Sequence, residues 1–169
     1  TAKKEDIVYR NGAKESNLLC VSGDLGGAYM GLQILEREKA VFKDNPKLQP
    51  DLEGKDYILE RQLKPEARKD IDDLLKKLSI KPTSMIDISD GLAADLYHLC
   101  DASNVGAEIS LDSIPIDENI ETSRRTEAAA FAIGGGEDFE LLFTSKRRAI
   151  SNKKFPPMTR IGEITSNVG

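Results

Sequence analysis

The sequence predicts an α/β (α+β) fold in which helices pack on a mixed sheet. Three observations predict it. Short apolar runs of strand length alternate with longer stretches of helical periodicity. Turns rich in glycine and proline separate them. The composition, 39% hydrophobic and 31% charged over 169 residues, is that of a folded domain long enough to bury a core.

The elements are justified in chain order. Residues 17–22 (NLLCVS) form an apolar run that reads as a buried strand. Gly23-Asp24-Leu25-Gly26-Gly27 reads as a strand-to-helix turn. Leu25, Ala28, Tyr29, Leu32 and Leu35 then recur at helical spacing until the charged stretch 36–39. Pro46, Pro50 and Gly54 mark 43–54 as a loop. A second helix is predicted over 55–62. Pro65 suits the first turn of a third, whose apolar stripe is Ala67, Ile71, Leu74, Leu75 and Leu78. The charges on its other face read as solvated. Residues 84–88 read as a strand, followed by a helix with Leu92, Leu96, Leu99 and Cys100 inward. Residues 106–111 alternate partly and read as a strand. A short helix is expected around 126–132, a strand over 139–144 (FELLFT) and a last strand over 160–164.

Composition excludes several classes. A net charge of -5 speaks against a nucleic-acid surface, which needs a basic patch. Phosphates remain accessible partners if metal ions mediate. No apolar run approaches the ~20 residues of a membrane span. No signal peptide is expected at the start, and the expected location is cytoplasmic. Cys20 and Cys100 sit in apolar surroundings and read as buried thiols rather than a disulfide. The single histidine, His98, lies mid-helix and reads as a surface or packing residue.

Two segments carry chemistry. In the first, Asp87-Ile-Ser89-Asp90-Gly-Leu, Asp87 and Ser89 lie two apart on a strand and share a face. Asp90 falls where the helix begins. Ser89 and Asp90 suit helix capping equally well. Asp87 does not, because a carboxylate at the buried end of an apolar strand needs a counter-charge or a cation. Magnesium accepts one or two carboxylates together with phosphate oxygens and waters. The second segment is Gly134-Gly-Gly-Glu137-Asp138-Phe-Glu140-Leu. It lacks the Lys-Ser/Thr of a Walker A loop and the spacing of a dinucleotide fingerprint. It reads either as a glycine turn with solvated acids, or as a loop that aims Glu137 or Asp138 at a ligand. Glu140 is expected to be structural, or to support from behind a residue that contacts a ligand.

Asp87-Ile-Ser-Asp-Gly-Leu, followed about fifty residues later by Gly-Gly-Glu137-Asp-Phe-Glu-Leu, resembles the motif pair of the thiamine-monophosphate kinase family. Tyr9-Arg10-Asn-Gly-Ala-Lys14 and Cys20-Val-Ser-Gly-Asp-Leu-Gly26 resemble the stretch that joins that family's two domains. The family belongs to the superfamily of aminoimidazole ribonucleotide synthetase. The resemblance implies an enzyme that uses ATP and Mg²⁺ to phosphorylate thiamine monophosphate, and a homodimer formed through an N-terminal domain. It implies Asp87 and Asp90 as metal ligands, Ser89 and Arg10 as ATP contacts, and Glu137 as a contact to the substrate. No covalent nucleophile is implied. Residues 1–11 would be the end of an N-terminal ATP-binding domain or a linker, and 12–169 the C-terminal α/β domain, with the chain expected to be truncated at both ends. The Arg124-Arg125 run has no counterpart in the family pattern. The alternatives are another ATP-using synthetase of the superfamily, or a non-catalytic nucleotide-binding domain.

Overall fold

In a computed structural model, residues 4–118, 120, 125–150 and 157–166 are described. Strand β1 (Asn17–Ser22) is central and buried at all six positions. An unbroken apolar run is what a strand covered on both faces requires. Leu19 and Val21 face one core, and Leu18 and Cys20 face the other. Burying a leucine side chain this fully stabilises by roughly 2 kcal/mol.

Strands β2 (Ser84–Asp87), β3 (Gly106–Ile109), β4 (Leu141–Lys146) and β5 (Met158–Thr165) complete a sheet of order β2-β4-β1-β5-β3. Helices pack on the sheet as the sequence predicts. All four strand pairings are antiparallel, so the expected mixture of directions is confined to an isolated parallel bridge between Leu25 and Ile116. The register of β1 on β5 jumps between Leu19–Gly162 and Cys20–Arg160. The extra residue is Ile161. This bulge lets Ile161 and Ile164, three apart, enter the same core.

Helix α4 (Leu92–Ser103) lays Leu92, Leu96 and Leu99 on one face of the sheet, joined there by Ala132 of α5 (Arg125–Gly134). Helix α3 (Lys69–Lys77) covers the other face with Ile71 and Leu75, and the short α6 (Arg147–Ile150) adds Ala149. A third core joins α1 (Gly27–Asp44) to α2 (Asp56–Leu63) through Ile34, Ile58 and Leu59.

Three boundaries differ from expectation. Helix α1 runs past the charged stretch to Asp44, and Glu38, buried at 8% exposure, accepts a hydrogen bond from the Asp51 N–H. Pro65 lies outside α3, which starts at Lys69 with Arg68 as its N-cap. Residues 139 and 140 precede β4, with their backbones bonded to Ile88 and the Glu140 side chain to Ser22, Arg61 and Arg68. Arg124 lies outside the described residues, and only the backbone of Arg125 is described. Cys20 is buried and free, with burial pushing its thiol up to about 12.

Candidate functional site

Antiparallel pairing puts the end of β2 beside the start of β4, with Asp87 opposite Leu141. The start of β4 also lies beside the end of β1, where Val21 is opposite Leu142. Three turns therefore meet at one end of the sheet: 23–26, 88–91 and 135–140. The two motif segments are stitched backbone to backbone. Ile88 N–H donates to Glu140 O at 2.8 Å, Phe139 N–H to Ile88 O at 2.8 Å, and Glu137 N–H to Ser89 O at 2.9 Å. Gly136 completes the seam. Its φ is +68°, and a Cβ there would lie 2.7 Å from Ser89 O.

The seam brings together four of the five residues singled out in the sequence. Asp87, Asp90 and Glu137 are exposed on it, and Ser89 is half-buried. Asp87 is not a buried carboxylate as expected. It ends an edge strand and points to the solvent side, while Ile86 and Ile88 fill the core. Capping is not what Ser89 and Asp90 do either. The N-cap of α4 is Gly91, with no side-chain cap. Instead the buried Asp95 reaches back, and its Oδ2 accepts from the N–H groups of Ser89 and Asp90, both at 3.0 Å. The hydroxyl of Ser89 and the carboxylate of Asp90 are thus not used to start the helix. Arg10 is exposed and placed apart. Tyr9 O accepts from Met85 N–H at 3.0 Å, and the chain then runs along the free edge of β2 toward Thr83, away from Asp87.

Beneath the seam lies a polar network that sequence reasoning missed. Asp138, 4% exposed, accepts from the N–H of Gly26 at 2.8 Å and of Ala28 at 3.2 Å, so it caps α1 across the fold. Glu140, 1% exposed, accepts from Ser22 Oγ and from Arg68, and pairs with Arg61 at 2.8 Å. Ser22 Oγ accepts in turn from Leu141 N–H at 2.8 Å. Arg61 also donates to Asp24 O at 3.0 Å. The expected structural role of Glu140 holds. The charged face of the predicted third helix, read as solvated, is not so throughout, since Arg68 at its start is a partner of a buried acid. Arg61, one turn after the buried Ile58 on the same side of α2, was the sequence signal for this network.

Gly23, Asp24, Tyr57, Arg61, Arg68 and Glu140 border a cavity of about 480 Å³ over this network. Burial pushes the Asp138 carboxyl up to about 6, against the two helix N–H groups and Arg61. Burial and then the charge of Asp117 raise Asp24. The Tyr57 hydroxyl donates to Asp24 at 3.1 Å, and burial together with that carboxylate lifts its pKa to about 12.

Among the described residues, no group of three or more His, Cys, Asp or Glu gathers to hold a metal ion. Asp87 and Asp90 are nevertheless two exposed hard-oxygen donors on one loop. Such a pair fits Mg²⁺ that takes its remaining ligands from phosphates and water, and does not fit a metal held by this chain alone.

The chain matches the family described as AIR synthase related protein, C-terminal domain, over residues 14–167. It is 33% identical over 169 residues to the thiamine-monophosphate kinase of Buchnera aphidicola subsp. Schizaphis graminum, covering 96% of this chain and 49% of that protein. The Escherichia coli K12 thiamine-monophosphate kinase is 34% identical over 168 residues, covering 94% and 48%. Among solved structures, the thiamine-monophosphate kinase from Stenotrophomonas maltophilia K279a aligns with a TM-score of 0.82 at 28% identity, over 99% of this chain and 53% of that one. AaThiL complexed with AMPPCP and TMP aligns with a TM-score of 0.74 at 30% identity, over 96% and 49%. The hydrogenase maturation protein HypE in complex with ATP shares the fold alone, at 13% identity and a TM-score of 0.64. The chain spans about half the length of the curated relatives it matches. The family match takes in all five strands and both motif segments, and the chain therefore belongs to the AIR synthase related family, as its C-terminal domain.

Proposed function

We propose that this chain is the C-terminal part of a thiamine-monophosphate kinase, which transfers the γ-phosphoryl group of ATP in line to the phosphate of thiamine monophosphate and yields thiamine diphosphate. The observation that carries this reading is the seam. The two motifs that resemble the kinase family lie fifty residues apart in sequence, yet hydrogen-bond to each other and expose Asp87, Asp90 and Glu137 on one surface. Relatives about a third identical over nearly the whole chain, and a structural neighbour complexed with AMPPCP and TMP, support the same reading.

Both reactants are anions, so the protein's task is alignment and charge neutralisation. Asp87 and Asp90 would hold Mg²⁺ against the nucleotide phosphates, where the cation supplies the charge that offsets phosphate repulsion. Ser89 would donate its hydroxyl to ATP. Arg10 would pair its guanidinium fork with phosphate oxygens, for which planar donors suit. Glu137 would contact thiamine monophosphate. Residues 1–11, of which 9–11 run along the free edge of β2, would lead in from an N-terminal ATP-binding domain that forms the homodimer. The location that goes with this reading is cytoplasmic.

The test is Asp87→Asn in the full-length enzyme. Asparagine keeps the shape and one acceptor but removes the charge. Because Asp87 is exposed, the melting temperature should hardly move. The rate should fall by about a thousandfold, the several kcal/mol that a bound cation contributes. A normal kcat with unchanged magnesium dependence would reject Asp87 as a ligand. Coupled ATP turnover with thiamine monophosphate, set against the other superfamily substrates, separates this reading from a different synthetase or a non-catalytic domain.

A further inference from the structure

We propose that Arg61, on a helix outside both motifs, is a positioning residue for Glu137. The inference rests on the reading of Glu137 as the substrate contact and adds what holds it in place. From Gly136 to Leu141 the chain alternates. Glu137 is exposed with φ +62°, and Phe139 is half-buried with φ +51°. Between and after them, Asp138 and Glu140 are buried. Two non-glycine residues in left-handed conformation, one residue apart, persist only where the surroundings over-determine them.

The surroundings here are the partners of the two buried acids. Asp138 is held by the N–H groups of Gly26 and Ala28. Glu140 is held by Ser22, Arg68 and Arg61. Arg68 touches Glu140 but spends its other donors on Asp70. Among the described residues, Arg61 alone spans both anchors. Its Nη1 lies 2.8 Å from Glu140 Oε1, and its Nη2 lies 3.5 Å from Asp138 Oδ1 and 3.0 Å from Asp24 O. A single planar fork thus ties the residue between the two strained positions, and the residue after them, to α2 and to the β1–α1 turn. Without it, two buried carboxylates share one fewer cation, and the turn loses the contact that fixes Asp138 and Glu140 on either side of Phe139. Glu137, whose own side chain is solvent-exposed, then loses its preset direction.

The experiment is a double-mutant cycle in the full-length enzyme with Glu137→Gln, Arg61→Gln and the pair, with KM measured for both substrates. If Arg61 acts through Glu137, each single change raises KM for thiamine monophosphate by about tenfold, KM for ATP stays put, and the pair is no worse than either alone. A merely structural Arg61 would lower the melting temperature as well, but its effect on KM would multiply with that of Glu137→Gln. Additive effects, a silent Arg61→Gln or an equal rise in KM for ATP would overturn the proposal. A silent Glu137→Gln overturns the substrate role of Glu137 itself, and this proposal with it. Should Arg61→Gln fail to fold, Arg61→Lys takes its place in the cycle. It keeps the charge but lacks the planar fork that reaches Glu140, Asp138 and Asp24 O together, and the same non-additivity is expected.

Discussion

Buried acids are the residues through which this domain responds to its surroundings. Asp138 is raised from 3.8 to about 6, chiefly by burial, with the hydrogen bonds from Gly26 and Ala28 and the charge of Arg61 pulling the other way and Asp24 adding to the rise. The folded chain therefore holds this proton more tightly than the unfolded chain. Its stabilising contribution is complete below 3.8 and is lost as pH rises through about 6. Between those limits the loss is on the order of 3 kcal/mol. Asp138→Asn removes the titration while keeping one acceptor for the start of α1. Urea unfolding across this range should show wild type losing stability relative to the variant as pH rises. Parallel curves, or a crossing in the opposite sense, would refute the assignment. Nothing in the sequence marks Asp138 over Glu137. The two are adjacent acids, and only the positive φ of Glu137 and Phe139 turns one outward and the other in.

Among the elements, the most legible were those whose burial is decided locally. Strand β1 falls where its apolar run falls, because both of its faces are covered. The stripes of α3 and α4 held at Ile71 and Leu75 and at Leu92, Leu96 and Leu99, because an amphipathic helix needs only one apolar face, whereas Ala67 lies exposed before α3. The starts were harder. Pro65 suits a helix start by φ alone, yet the chain spends 64–68 crossing to bring Arg68 to Glu140, and α3 begins only at Lys69. The α4 start is set by Asp95 from inside the helix rather than by Ser89 or Asp90 before it. The seam between these elements yields a sharp expectation at Gly136. Alanine there would take up a left-handed φ and press its Cβ to 2.7 Å from Ser89 O. The strain costs about 1–2 kcal/mol, and relief of the close contact must part the two motif turns. Gly136→Ala should therefore lower the melting temperature by several degrees, and it should weaken thiamine monophosphate binding more than Asp87→Asn does. Calorimetry and substrate titration on the same sample check both. Unchanged substrate binding would mean that the seam does not shape the site.

For the molecule as a whole, the sheet order places every functional candidate except Arg10 at one end. Strands β2 and β4 are neighbours although more than fifty residues separate them, and β1 lies on the far side of β4. The exposed carboxylates at that end lack further metal-ligating groups among the described residues. The chain spans about half of its relatives. The 169-residue chain by itself should therefore fold but give no turnover of thiamine monophosphate in a coupled ATP assay, and activity should return when the remaining half is supplied. Turnover by the chain alone would show that these residues suffice.

The sequence by itself determined the class of the fold, the position of each strand to within a few residues, and the identity of the two motif segments, because hydrophobic period and residue chemistry are local properties. It also determined which side chains carry oxygen donors, though not their exposure. The tertiary structure alone decided that the two motifs are one surface, since antiparallel pairing of β2 with β4 joins residues distant in sequence. It alone decided that Arg61, Arg68, Asp138 and Glu140 form a buried network, because a charged side chain on a helix is solvated or paired according to what another element places against it. And it alone decided that Asp87 lies in solvent at the sheet edge, where the order of the strands, not the strand's own residues, sets burial.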